Sequence, residues 1–185
     1  ALLQKKLFGE KRLVITFVAE PESTLNPALT NQSAGQKLKG TSGSPKRCLI
    51  VLEEFLAALK QIDQLEQEDP LVILRLHPRN QESDFLPYEG ACRLHSGGDP
   101  LELICASDLV VGMTSMLLLE AAIAGVPTLS IVPNIEEAQW LPTVEAGATP
   151  CATTRDQIAA ALQDWYQSAG AKEDQTRAAE QWFEP

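Results

Sequence analysis

The sequence predicts a doubly wound α/β domain whose parallel sheet of about six strands is covered by helices on both faces. Three observations predict it. Short runs that are apolar at every position recur along the chain, the pattern of strands buried on both sides. Segments with helical spacing of apolar residues lie between them. The 185 residues are 44% hydrophobic and 22% charged, which suits one ordinary domain with a full core.

Each element has its own signal. Residues 12–19 form a β-branched apolar run closed by Glu20-Pro21, which predicts the first buried strand. The residues before it carry Lys5, Lys6, Lys11 and Arg12 without a long apolar centre, so they do not read as a secretory signal. The chain runs almost at once into a strand, as expected of a fragment of a longer protein. Residues 21–46 are rich in Pro, Ser, Thr, Asn, Gln and Gly and predict a long loop or insertion. Residues 47–67 place Leu49, Leu52, Leu56, Leu59 and Ile62 near helical spacing, an amphipathic helix. Residues 71–76 predict the second strand, ending at His77-Pro78-Arg79. Residues 80–91 form a connection, and 92–95 a short third strand.

Asp99 is a candidate N-cap, with Pro100 at the first position of a helix to Ala106. Residues 109–111 predict the fourth strand. Gly112-Met-Thr-Ser115 then turns into a helix over 116–124, stopped by Gly125 and Pro127. Residues 128–132 predict the fifth strand. Residues 134–147 read as a helix or helical turn interrupted at Pro142, and 149–152 as an edge strand. Thr154 caps an amphipathic helix to Gln167. A last helix over 173–183 lies within the C-terminal stretch 171–185. The whole of 1–185 reads as one domain with no internal repeat.

Charge and composition exclude several functions. The formal net charge of −10 argues against a nucleic-acid-binding surface, which needs a basic face to replace counterions. Phosphate-bearing small ligands remain open, because backbone N–H groups bind them without net positive charge. No apolar run reaches 18 residues, so no transmembrane segment is expected; peripheral membrane contact stays open. Cys48, Cys92, Cys105 and Cys151 are widely spaced, with no Cys-x-x-Cys pair. His77 and His95 stand apart. Reduced thiols in a cytoplasmic protein, with no metal site, are the expectation.

In a doubly wound sheet, ligands bind beyond the carboxyl ends of the strands at the switch point. That rule picks out Glu20-Pro21-Glu22, His77-Pro78-Arg79, residues 112–116 and residues 133–139. Thr114 and Ser115 can cap the following helix, or its free amides can receive a phosphate. Glu120 sits among Leu117, Leu118, Leu119, Ala121 and Ala122, so it is expected to be buried and to need a partner or ligand. A carboxylate there could accept both ribose hydroxyls. His77 and Arg79 suit phosphate oxygens. Glu20 and Glu22 are paired carboxylates that could do acid–base work, but in an acidic chain they read as a solvated loop. Glu136, Glu137 and Gln139 read as an exposed helix start from which one side chain could reach a sugar.

Residues 106–148 resemble the nucleotide-sugar-binding half of GT-B-fold glycosyltransferases. The run Ser107-Asp-Leu-Val-Val-Gly, the Thr-Ser pair, Leu-Glu-Ala-Ala-Ile-Ala-Gly-Val-Pro and Ile-Val-Pro are similar to the peptidoglycan N-acetylglucosaminyltransferase family. Val144-Glu-Ala-Gly-Ala148 fits its tail. His77-Pro78 resembles the non-hydrolysing UDP-N-acetylglucosamine 2-epimerases. It also resembles sialyl- and glycerophosphate-transferring enzymes with a His-Pro motif and a later Ser/Thr pair.

The resemblance implies a Rossmann-like domain. Thr114, Ser115 and Met116 would bind the diphosphate, Glu120 would hold the ribose, His77 would touch a phosphate oxygen and Gln139 would reach the sugar. It names no catalytic residue and no cofactor beyond a nucleotide-sugar donor, UDP-linked by the likeness. It implies inverting, metal-independent transfer in cell-envelope or polysaccharide synthesis. It also implies a second Rossmann-like domain, in cis or in trans, to supply the acceptor site; this chain has no room for one. There are departures. Ala19-Glu20-Pro21-Glu22 stands where a glycine-rich loop is expected. Gly112-Met-Thr-Ser115 replaces the epimerases' Asp-Ser-Gly-Gly turn, and arginine is absent from it. An epimerase-like domain and a non-catalytic α/β protein-interaction module are the alternatives.

Overall fold

The structure, a computed structural model, describes residues 2–9, 12–21 and 37–183. Its centre is a six-stranded sheet of order β3-β2-β1-β4-β5-β6. The strands are β1 (Val14–Val18), β2 (Leu71–Arg75), β3 (Arg93–His95), β4 (Leu109–Gly112), β5 (Thr128–Ile131) and β6 (Cys151–Ala152). Every pairing is parallel. The order reverses between β1 and β4, which makes that crevice the switch point.

The apolar runs are continuous because each strand feeds two cores. On β1, Ile15 and Phe17 face one helical layer, while Val14 and Val18 join the clusters on the other. The first layer is built by α2 (Arg47–Leu59), α3 (Asp63–Glu68) and α7 (Arg155–Gln167). Phe17 stacks on Phe55 of α2 with ring centroids 5.8 Å apart. The second layer is built by α4 (Pro100–Ala106), α5 (Met116–Ile123) and α6 (Pro142–Glu145). A last helix, α8 (Ala169–Phe183), returns to pack on α5 and α7. The expected doubly wound α/β fold is therefore present.

The differences from the expectation have local causes. Helix α1 (Leu2–Phe8) precedes the first strand, where a direct entry into the strand was expected. It is tied down by Gln4, whose amide donates to Asp108 Oδ2 at 3.0 Å and to the Ala106 carbonyl at 3.1 Å. The helix expected over 47–67 is two helices. Lys60 ends the first, and buried Ile62 turns inward before Asp63 starts the second. The segment after β5 is a 3-10 stretch, Ile135–Trp140, followed by α6 with Pro142 at its start. Of the predicted loop 21–46, residues 22–36 lie outside the described residues. Residues 37–46 are irregular.

Caps set where the helices begin. Asp99 accepts the Leu101 amide at 2.9 Å, Ser115 the Leu117 amide at 3.3 Å and Thr154 the Gln157 amide at 3.2 Å. The Ser107-Asp108 pair of the motif has structural work. Ser107 Oγ meets Thr16 Oγ1 at 2.7 Å, and Asp108 Oδ2 accepts the Val14 amide at 2.9 Å. Gly112 is demanded by close approach, since a Cβ there would lie 2.5 Å from Val18 Cγ2 and 3.3 Å from the Val18 carbonyl oxygen.

Candidate functional site

A cleft of about 540 Å³ opens beyond the carboxyl ends of β1, β2 and β4. Ala19, Glu20 and Pro21 form one wall, Arg75 to Pro78 a second, and Thr114 to Leu117 a third. Three of the segments expected at the switch point thus meet there. A hollow of similar volume, 580 Å³, lies at the opposite end of the sheet beside Arg12, Asp69 and Leu71. It sits at the amino ends of strands, away from the helix-start amides that suit an anion.

Ser115 caps α5, and its backbone turn presents Thr114 to the cleft. The Thr114 amide donates to Glu20 Oε1 at 2.6 Å, and its hydroxyl donates to Glu20 Oε2 at 3.3 Å. This corrects the reading of Glu20 as a solvated loop acid. Burial pushes its carboxyl above the usual range, and the Thr114 bonds and nearby Arg47 offset only part of that rise. Glu22, its expected companion, lies outside the described residues.

His77 stands exposed on the cleft wall. Its Nδ1 accepts the Arg79 amide at 3.1 Å, which assigns the ring proton to Nε2 and leaves that atom as a donor. Asn80 braces the two strand exits. Its Oδ1 accepts the His77 amide at 2.8 Å, and its Nδ2 donates to the Glu20 carbonyl at 3.3 Å. Arg79 is exposed and is not among the residues lining the cleft. Arg75, which sequence reasoning did not single out, does line it. Its guanidinium is engaged by the carbonyls of Gly97 and Gly98 and by His95 Nδ1, the last at 2.9 Å. Burial, then Arg75, holds the His95 ring below its ordinary titration range.

Met116 lines the cleft and is 57% exposed. Glu120 is exposed, which overturns the expectation that it is buried. Helix α5 covers the sheet with Leu118, Ala121 and Ala122, while Met116, Glu120 and Ile123 share its open face at helical spacing. The desolvation argument for Glu120 therefore fails, and it does not line the cleft.

The fourth segment does not join the cleft wall. Gln139 is exposed. Glu137, expected on an exposed helix start, is buried and forms an ion pair with Arg47 at the start of α2. Burial raises the Glu137 carboxyl and Arg47 pulls against the rise. Arg47 also acts on Glu20. Neither side of this pairing is visible in sequence, because the two residues are 90 positions apart. Among the described residues no group of His, Cys, Asp and Glu is arranged to hold a metal ion. No described helix is long and apolar enough to cross a membrane. None of the four cysteines is in a disulfide.

No known family model matches the sequence, and no curated protein matches it. Solved structures do match in fold. The C-terminal CMP-Kdo binding domain of WaaA from Acinetobacter baumannii superposes with a TM-score of 0.62 at 14% identity, covering 100% of this chain and 95% of that one. WaaG, a glycosyltransferase involved in lipopolysaccharide biosynthesis, gives 0.59 at 16% identity, covering 98% of this chain and 45% of that one. The likeness is to one Rossmann-like half of the GT-B fold. Spinosyn rhamnosyltransferase SpnG, complexed with thymidine diphosphate, gives 0.57 at 9% identity over 92% of this chain. The chain spans 41% of that protein's length. The fold-level resemblance expected from residues 106–148 therefore holds across the full GT-B-type half.

Proposed function

We propose that this chain is the donor-binding half of an inverting, metal-independent glycosyltransferase of cell-envelope or polysaccharide synthesis. The donor is a nucleotide-linked sugar, UDP-linked in the first instance, and no further cofactor is required. A second Rossmann-like domain, in cis or in trans, brings the acceptor and its base, and the reaction is cytoplasmic. The observation that carries this reading is the cleft at the β1/β4 switch point. It sets the α5 start on one wall and a hydrogen-bond donor, His77 Nε2, on another.

The chemistry follows from charge. When the bond from the anomeric carbon to the phosphate oxygen breaks, that oxygen keeps the electron pair. The start of α5 and His77 both line the cleft where this charge develops, and fixed dipoles stabilise it without reorganisation. Thr114, Ser115 and Met116 take the phosphates. Glu120 and Gln139 stand outside the cleft wall, and Arg79 is exposed beside it. The roles proposed for them, ribose for Glu120, sugar for Gln139 and phosphate for Arg79, require a donor that extends past the cleft wall.

Calorimetric titration with UDP, UDP-N-acetylglucosamine, CDP and CMP tests the reading. Binding of at least one of them is expected, weakened by about tenfold in Ser115→Ala through loss of a charge-assisted contact. Heat changes indistinguishable from dilution with every nucleotide at millimolar concentration would overturn it.

A further inference from the structure

The Thr114 amide, one residue before the Ser115 cap of α5, already holds a carboxylate of the chain itself. Glu20 takes both the amide and the hydroxyl of Thr114, across 94 positions of sequence. The contact is braced from behind. Ala19 donates its amide to the Arg75 carbonyl at 2.9 Å, and Asn80 holds the Glu20 carbonyl at 3.3 Å. Glu20 is thus a fixed part of the wall. Arg47, whose charge acts on Glu20, makes its ion pair with buried Glu137 instead. A phosphate that approaches the Thr114 amide must displace Glu20 and then remain beside it.

This repulsion does not act equally on donor and product. In a nucleotide sugar the phosphate oxygen linked to the anomeric carbon carries no charge. In transfer the acceptor oxygen forms the new bond and gives up its proton to a base. The donor's carbon–oxygen bond breaks, and the released nucleotide gains one negative charge. In a partly buried cleft the cost of a neighbouring carboxylate rises with each charge the ligand carries. Taking the donor-binding reading as its ground, we infer that Glu20 is a specificity-determining residue of the cleft. It competes for the Thr114 amide and sets the preference for the nucleotide-sugar donor over the nucleotide product.

The experiment compares the native chain with Glu20→Gln and Glu20→Ala by calorimetry, using UDP-N-acetylglucosamine and UDP, with CMP and CDP in parallel. Circular dichroism melts check that each variant is folded. Gln keeps the shape and removes the charge; Ala removes both. Both variants should bind UDP about tenfold tighter, from the loss of one like charge in the cleft. UDP-N-acetylglucosamine should tighten by less, so the ratio of product to donor dissociation constants moves toward the product. Unchanged constants overturn the role of Glu20 and leave the donor-binding reading standing. Weaker binding by both variants also overturns it, since Glu20 would then be a direct ligand contact. Binding of no nucleotide by any of the three proteins overturns both.

Discussion

At the scale of single residues, the candidate site is held by acids and bases that pair across the chain. Arg47 and Glu137 have side chains only 12% and 5% exposed. Such a pair is weak evidence of net stabilisation, but losing one partner strands the other. Arg47→Met leaves Glu137 buried without its cation, and the expected cost is about 3–5 kcal/mol. Urea denaturation reads this as a fall in midpoint. Adding Glu137→Leu should restore most of the loss; a double variant as weak as the single one would assign the loss to Arg47 packing alone. The same residues mark what a sequence conceals. Glu137 follows Val132-Pro133 and was legible as an acid near a strand end. That it turns inward was not, because its partner comes from a helix ninety positions away. Glu120 shows the converse. Apolar neighbours on both sides suggested burial, but three of those neighbours cover the sheet and Glu120 takes the open side of α5.

At the scale of elements, two adjacent acids on α2 anchor the end of the long loop. Glu54 Oε1 accepts the amides of Lys39 and Gly40 at 3.0 and 2.9 Å, and its Oε2 pairs with Arg155 Nε of α7 at 2.6 Å. Glu53 accepts the Thr41 amide at 2.5 Å, the Ser42 amide at 3.0 Å and the Tyr88 hydroxyl. Burial alone would raise the Glu53 carboxyl. The Ser42 and Tyr88 hydroxyls and the two amides more than offset it, and the carboxyl sits at about 2 against an ordinary 4.5. Tyr88 is pushed up to about 12, by burial first and then by its bond to Glu53.

A depressed acid contributes stability that is fully present above its unfolded value and is lost as pH falls through the folded one. The clamp should therefore weaken between pH 4.5 and about 2. The raised Tyr88 acts in the opposite sense. Its contribution is present below pH 10 and is lost as pH rises toward about 12. Chemical denaturation across the acid range should show a limb that Glu53→Gln flattens; an unchanged limb would remove Glu53 as its cause. In sequence, Glu53 and Glu54 only lie between the apolar positions of an amphipathic helix. Strands and caps were legible because their signals are local: apolar runs, Asp99-Pro100, Ser115, Thr154. The clamp was not, since an acid facing loop amides and an acid facing water have the same local pattern.

At the scale of the whole molecule, strand order places the functional residues. Reversal between β1 and β4 parts the chain ends of two neighbouring strands, and the cleft forms there from segments that lie far apart in sequence. The alternation of strands and helices implied a doubly wound sheet and the end of it at which the site lies, but not the strand order, which depends on pairings between distant segments. The exposed apolar side chains Met116, Ile123 and Ile135 lie on α5 and just beyond β5. This division of labour has a thermodynamic consequence. A ligand that binds only the folded cleft stabilises the fold by mass action. At a hundredfold excess over its dissociation constant the gain is about 2.7 kcal/mol. For a domain of this size that corresponds to a rise in Tm of about 5–10 °C. A melt monitored by circular dichroism with and without UDP should show that rise in the native chain and keep it at saturating ligand in Glu20→Gln. If the chain instead transferred sugar to an acceptor by itself, the assignment of acceptor and base to another domain would fall, even with the melting shift in place.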